Sequence, residues 1–245
     1  MRAGLQRMSI ARLSGPTRLL LGSALVLLGT PACAEVGATV TLATQDRFRG
    51  YSVSDGYPAA TVSLSYDDAA GPYVEGSVMI AGNPSVGIER SRFEGNAGYA
   101  VRLKNGPTLD AGIVHAEYTG YRIYGRQAVF TEIYAGLIAG PVSAHVHYSP
   151  NYFQRGVTTF YADVDGSASL ATRLRLSAHY GMLFQIEGNH EPVGSHIRDW
   201  RIGASTDVKN LTFEVALASG SNRRGFYGVV RNGGTALLLS ATAAF

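Results

Sequence analysis

The chain has 245 residues, with 21 Lys and Arg against 18 Asp and Glu, a formal charge of +3 and a single cysteine. Only 16% of its residues are charged, whereas about 25% is usual in globular proteins. Together with 30 glycines and 14 tyrosines, this composition argues against a helical membrane protein and against a disordered chain.

The first 34 residues have the features of a secretory signal peptide. They hold four arginines and no acidic residue, followed by an apolar run at 19–28. That run is too short for a membrane-spanning helix, which needs about 20 apolar residues. The small residues Ala32-Cys33-Ala34 predict cleavage after Ala34. A lipoprotein that uses Cys33 is the alternative, which the poor match of the preceding residues disfavours.

Cleavage would remove the basic excess of the chain. Without residues 1–34, 17 basic residues stand against 18 acidic ones, and no thiol is left. The net positive charge therefore does not indicate a nucleic-acid partner, and the exported chain has no disulfide. We predict a single domain over residues 35–245.

Beyond residue 34, apolar and polar residues alternate with a period of two. Leu174, Leu176 and Ala178 share one face of a segment whose other face carries Arg175 and His179. This period is typical of strands with one apolar face. We predict twelve strands, at 38–52, 58–67, 73–82, 88–102, 108–118, 129–138, 141–149, 158–169, 173–184, 197–208, 211–219 and 235–245.

The connections between these strands alternate in length. Short ones lie at 68–72, 103–107, 139–140, 170–172 and 209–210; those between them are often longer, at 119–128, 150–157, 185–196 and 220–234. Outer-membrane barrels have short periplasmic turns, longer external loops and an even number of strands. We therefore predict an all-β, transmembrane, antiparallel up-and-down barrel with periplasmic termini. A soluble barrel or sandwich is the alternative, since its strands also alternate.

The C-terminus also fits export to the bacterial outer membrane. Phe245 ends a strand with apolar alternate positions, and a terminal aromatic residue of this kind resembles the signal that the barrel-assembly machinery recognises. We expect contacts with outer-membrane lipid and lipopolysaccharide. Arg223, Arg224 and Arg231 in the last predicted external loop are candidates to bind lipopolysaccharide phosphates.

Two blocks of sequence resemble a known family. The first is Phe48-Arg49-Gly50-Tyr51-Ser52-Val53-Ser54-Asp55-Gly56-Tyr57-Pro58-Ala59, followed by the alternating strand 62–66. The second comprises 131–137, 140–144 and 148–153. Both are similar to motifs of TorF, a proteobacterial family of conserved hypothetical outer-membrane barrels. The resemblance covers about residues 38–185 and implies a porin of unknown substrate.

The inward face of the predicted barrel carries charges of both signs. Such rows set ion selectivity or pair across the lumen and stiffen it, and their near balance argues against strong selectivity. For Arg49 we favour a packed corner, with a bend at Gly50 and a pair to Asp55, over a constriction at the pore mouth. The pore-lining candidates are Arg47, Arg49, Arg90, Arg92, Glu94, Glu132, His145, His147, Asp163, Asp165, Arg173, Arg175, Asp199 and Arg201.

Two histidines raise other possibilities. His145 and His147 share a face and could bind a metal, but no third ligand is indicated nearby, and hydrogen bonding in the lumen is favoured. His147 and Ser149 also have the spacing found in outer-membrane lipid hydrolases. The alternation places both side chains inside the barrel, which disfavours that activity, because such enzymes act at the lipid surface.

We therefore expect a channel for passive diffusion of small solutes or ions, without enzymatic activity, cofactor or metal. The alternatives are a lipid-modifying barrel enzyme and a non-conducting barrel that is structural or adhesive.

Overall fold

A computed structural model describes residues 34–83, 87–104, 106–123, 126–188, 196–221 and 233–245. Arg223, Arg224, Arg231 and the predicted signal peptide, apart from Ala34, lie outside these ranges. The strands are β1 (Glu35–Ala43), β2 (Arg47–Phe48), β3 (Tyr51–Ser52), β4 (Ala59–Asp67), β5 (Pro72–Asn83), β6 (Gly87–Arg102), β7 (Thr108–Ile123), β8 (Arg126–Ala139), β9 (Val142–Ser149), β10 (Thr158–Ser169), β11 (Leu174–Glu187), β12 (His196–Val208), β13 (Leu211–Gly220) and β14 (Ala236–Ala244).

Twelve strands of the described chain close into one barrel. β1 is followed in the ring by β4, each later strand pairs with its neighbours in sequence, and β1 pairs antiparallel with β14. β2 and β3 form a separate two-stranded hairpin. The twelve-stranded antiparallel up-and-down barrel predicted from the alternation is confirmed. Within the described chain, each of the twelve barrel strands is paired on both sides, as a sheet in lipid requires.

The apolar face of the barrel points outward. Leu64 and Ile202 are each 60% exposed, whereas His145 and Glu132 on the inner face are at most 3% exposed. A soluble barrel has the reverse arrangement, with its apolar face in the core. The outward apolar band is that of an outer-membrane barrel, and the soluble alternative is wrong. Within the described residues, no helix has the length and apolar character needed to cross a membrane.

The two ends of the barrel differ. Glu35 and Phe245 lie at one end, called here the terminal end, where the turns 68–71, 140–141, 170–173 and 209–210 also lie. Residue Phe245 is exposed, and its amide donates to Ala38 O at 3.0 Å. The opposite end, called the loop end, carries the connections 44–58 and 150–157.

Two predicted boundaries are wrong. The predicted first strand, 38–52, ends at Ala43, because the alternating residues beyond it form the hairpin β2–β3. The predicted loop 119–128 is largely strand, since β7 reaches Ile123 and β8 begins at Arg126. Its polar composition resembles that of a loop because strands that project past the apolar band need no lipid-facing residues.

Glycines in one strand make room for large side chains from the next. Gly136 lies beside His145 in the β8–β9 pairing, and a Cβ on Gly136 would overlap the imidazole ring. In the same way, a Cβ on Gly112 would overlap the Tyr134 hydroxyl. The interior is thus filled by rings that lie across neighbouring glycine backbones, and packing of this density resists added volume.

The substitution Gly136→Ala tests this packing. The added methyl group must displace the His145 ring, so we expect a loss of about 1–3 kcal/mol of unfolding free energy, as for other overpacked sites. The control is Gly76→Ala, where a Cβ would meet no atom within 4 Å. Urea unfolding of the refolded barrel in detergent measures both. Equal midpoints for the two variants would contradict the packing described here.

Candidate functional site

The connection between β1 and β4, residues 44–58, folds into the lumen and is called here the inner loop. At its centre, β2 and β3 are joined by Arg49 and Gly50, which have φ values of 47° and 78°. Two successive residues with positive φ form the turn that suits a two-residue hairpin. The Val53 amide donates to Asp46 O at 2.9 Å, so the ends of the hairpin are held side by side.

The tip of the hairpin reaches walls of the barrel that lie nearly opposite each other. The Arg49 guanidinium donates two hydrogen bonds, of 2.9 and 2.6 Å, to the Glu132 carboxylate on β8. Gly50 contacts β13, and a Cβ on Gly50 would lie only 2.5 Å from Gly220 Cα. β8 and β13 are five places apart in the ring of strands. The hairpin therefore crosses the lumen.

Aromatic rings enclose the buried Arg49 side chain. Its guanidinium carbon lies 3.8 Å from the ring centroid of Tyr161, 4.9 Å from that of Phe48 and 5.3 Å from that of Tyr152. Burial disfavours the charged guanidinium, but Glu132, Tyr152 and Tyr161 together outweigh it, and the pKa of Arg49 lies well above its ordinary value. The bidentate pair with Glu132 and the contacts to the π faces of the rings offset the cost of removing this charge from water.

Further bonds fix the inner loop to β6. Asp46 lies 3.2 Å from Arg92, and burial raises the pKa of the Asp46 carboxyl although Arg92 opposes the rise. The exposed Asp55 lies 3.6 Å from Arg90. The predicted pair between Arg49 and Asp55 is therefore wrong, because Arg49 points into the lumen and Asp55 toward solvent.

Arg47 holds the inner loop to the chain that leads into β14. Its guanidinium donates to Gly50 O and to Gly234 O, each at 2.7 Å. The Tyr51 hydroxyl donates to Ser221 O. These bonds satisfy polar groups that have left bulk water, as buried polar groups require.

Five aromatic side chains pack above the hairpin at the loop end. Phe130 is central, with ring centroids 5.4 Å from Phe48 and 5.0 Å from Phe153. Tyr118 and Tyr152 complete the group. Two of the rings come from the connection 150–157 and two from β7 and β8, so a second loop helps to cover the inner loop. All five side chains are buried.

A cluster of charged residues lies below the aromatic group, and we call it the mid-lumen cluster. Four of its members lie in one row of cross-strand partners, which runs Asp110, Gly136, His145, Asp163, Gly181 and Asp199. The cluster consists of Arg49, Asp110, Glu132, His145, His147, Asp163, Asp165, His179 and Asp199.

The two histidines of β9 lie in this cluster. His147 Nε2 is 3.1 Å from Asp163 Oδ2, and His145 Nδ1 is 3.8 Å from Asp163 Oδ1. Ser149 donates to Thr131 O at 2.8 Å. His147 and Ser149 are both buried inside the barrel, as their parity predicts, and neither reaches the lipid surface that a lipid hydrolase needs.

The other pore-lining candidates lie near carboxylate partners, with one exception. Arg201 is 2.7 Å from Glu214, Arg175 is 3.1 Å from Asp207, and Arg92 is 3.8 Å from Glu94. Arg173 is the exception, because β11 begins one residue later and Arg173 is exposed in the terminal-end turn. The predicted strand start at 173 is therefore one residue early.

Sequence reasoning did not find the tyrosines of this site. The Tyr73 hydroxyl donates to Asp110 at 2.6 Å and bonds to that of Tyr134, which donates to Asn96 at 3.1 Å. Tyr161 donates to Asp199 at 3.3 Å. The alternation places these rings on the inner face, but their partners lie on strands whose register the sequence does not reveal.

The substitution Glu132→Gln tests the pair at the hairpin tip. It leaves the Arg49 charge buried without a counter-charge, so we expect a loss of about 3–5 kcal/mol of unfolding free energy. The control is Asp207→Asn, which breaks an arginine pair whose acid side chain is 44% exposed and so costs under about 1 kcal/mol. Urea unfolding in detergent compares the two. Similar losses would show that Arg49 is not held by Glu132.

The fold is shared with solved porins. The NanC porin has a TM-score of 0.55 at 8% identity, over 84% of this chain and 98% of the other. The KdgM porin has a TM-score of 0.52 at 12% identity, over 85% and 99%. KdgM in complex with disordered oligogalacturonate gives 0.52 at 13% identity, over the same shares.

A comparison with curated proteins gives no match. A family model does match, over residues 29–235, and its description is a bacterial protein of unknown function. Since that match covers most of the chain, the protein belongs to the Gcw_chp family.

Proposed function

We propose that this protein is a porin-like channel of the bacterial outer membrane for passive diffusion of small solutes or ions. The observation that carries the proposal is the inverted barrel, with an apolar outer band and a charged inner face. A sheet of this kind separates a polar interior from lipid, which is the arrangement of a water-accessible pore. The resemblance to TorF points to the same function.

The proposed orientation puts the terminal end in the periplasm and the loop end outside the cell. Short turns at the terminal end and the longer connections 44–58 and 150–157 at the loop end support it, because outer-membrane barrels have short periplasmic turns and longer external loops. Phe245 at the terminal end would then be available to the barrel-assembly machinery. Cleavage after Ala34 would leave β1 to begin at the new N-terminus.

The hairpin tip would set the width of the proposed channel. Inner-face residues near the terminal end, such as Ser63, Ser65 and Ser77, are half-buried, whereas Thr41 and Met79 nearer the hairpin are buried. Beside β4 and β5, the lumen is thus more open near the terminal end than at the level of the inner loop. Solutes would have to pass the Arg49–Glu132 pair or displace the hairpin.

Removal of the hairpin tests the channel. Asp46 and Val53 are bonded through their backbones, so residues 47–52 can be replaced by two glycines without moving β1 or β4. We expect single-channel conductance in planar bilayers to rise several-fold over that of the intact protein. Glu132 would then contact lumen water and would no longer need a buried partner.

The matched control changes the same loop outside the lumen. Asp55→Asn removes the solvent-exposed ion pair with Arg90, which contributes little to holding the inner loop, and should leave conductance at the level of the intact protein. Insertion is checked by heat-modifiable mobility on gels. Absence of conductance steps in both the intact protein and the variant without the hairpin would overturn the channel and favour a non-conducting structural barrel.

A further inference from the structure

Three side chains of the mid-lumen cluster converge on one point. Asp163 and Asp165 share the inner face of β10, and His179 lies opposite Asp165 on β11. One ligand atom of each lies within 4.8 Å of those of the other two. Two carboxylates and one imidazole on a rigid sheet make a donor set that holds a divalent transition metal.

The imidazole is already oriented as a metal ligand would be. His179 Nε2 lies 3.0 Å from Asp199 Oδ1, which leaves Nδ1 directed at Asp165 Oδ1, 2.9 Å away. A carboxylate that is hydrogen-bonded to the ring nitrogen not bound to the metal fixes the orientation of a ligating histidine and raises its basicity. The Tyr161 hydroxyl donates to the same Asp199 carboxylate, so this outer group is itself held in place.

Two further imidazoles are buried next to the site. His145 and His147 are 3% and 2% exposed, and His145 Nε2 and His147 Nδ1 have no hydrogen-bond partner. The other nitrogen of His145 lies 3.8 Å from Asp163 Oδ1, too far for a hydrogen bond but close to the separation of about 3.4 Å between two ligands of one tetrahedral ion. His147 Nε2 also faces Asp163, at 3.1 Å from Oδ2, whereas His145 Nε2 and His147 Nδ1 face Asp110 and Glu132.

The charge of the cluster also calls for a cation. Its members include five carboxylates, from Asp110, Glu132, Asp163, Asp165 and Asp199, against one guanidinium, that of Arg49. Carboxylates removed from bulk water need counter-charges. A divalent ion supplies two positive charges without occupying more than the space between three side chains.

We propose that Asp163, Asp165 and His179 bind one divalent transition-metal ion in the lumen, with Asp199 orienting His179 and with His145 beside Asp163. Asp165 and His179 are 23% and 14% exposed at their side chains, so the ion enters from the lumen. An imidazole nitrogen in the set selects Zn²⁺ or Co²⁺ over the oxygen-preferring Ca²⁺. The inference does not depend on conduction.

Titration of the refolded, chelator-treated full chain in detergent tests the site. With Zn²⁺ as the probe and isothermal titration as the readout, we expect one ion per chain, and Ca²⁺ bound at least about tenfold more weakly. Co²⁺ should give visible absorption typical of nitrogen and oxygen ligands. Absence of stoichiometric Zn²⁺ binding by the unaltered chain overturns the proposal, whatever the variants do.

Variants separate this site from surface histidines. Asp165→Asn and His179→Gln should each abolish stoichiometric binding and the Co²⁺ absorption, and Asp199→Asn should weaken binding about 10–100-fold, as loss of an outer carboxylate does. The matched control is His115→Gln, because His115 also lies beside an acid, Glu117 at 3.3 Å, but on the exposed surface. Binding lost in the His115 variant and kept in the other three would overturn the proposal.

Discussion

The buried pair between Arg49 and Glu132 is the interaction on which the interior of this barrel depends. Two charges are removed from water, and that cost is offset by a bidentate geometry and by rings on several sides of the guanidinium. Because Arg49 sits at the tip of a hairpin, the pair holds an entire loop inside the lumen. The aromatic group at the loop end, which includes Phe48 from that hairpin, packs only while the loop is there.

The hairpin fits inside the lumen because the barrel wall offers it glycine backbone on one side and charged partners on the other. Gly220 and Gly50 lie so close together that a Cβ on either would overlap the other. One edge of the hairpin therefore packs directly against the backbone of β13. The other edge meets Glu132 and Arg92, which carry the charges that Arg49 and Asp46 require. The same rule holds along the row from Asp110 to Asp199, where Gly136 and Gly181 each lie between two large polar side chains. Small residues in this interior are therefore sites of close packing.

Much of the fold follows from a local property of the sequence. The alternation in Val142–Ser149 or Leu174–Glu187 reveals which side chains share a face, and the count of twelve strands follows from it. The inner loop could not be found in this way, because Arg47–Ser52 alternates like a strand whether it continues β1 or turns inward. The partner of Arg49 was also out of reach: Asp55 is near in sequence, while Glu132 is 83 residues away and adjacent only through barrel closure and register.

Register also changes what the charge balance means. Arginines and acids are nearly equal in number on the inner face, which argues against selectivity if they are evenly mixed. They are not evenly mixed. Arg92, Arg175 and Arg201 each lie beside carboxylates of their own, whereas the wall from β7 to β12 gathers five carboxylates around the single guanidinium of Arg49. A solute in the proposed channel would meet this local excess of negative charge. Charges interact with a solute over short distances, so the nearby carboxylates matter more than the net charge of the whole chain. In the proposed channel we therefore expect the carboxylates at mid-lumen, among which His145, His147 and His179 also lie, to favour cations.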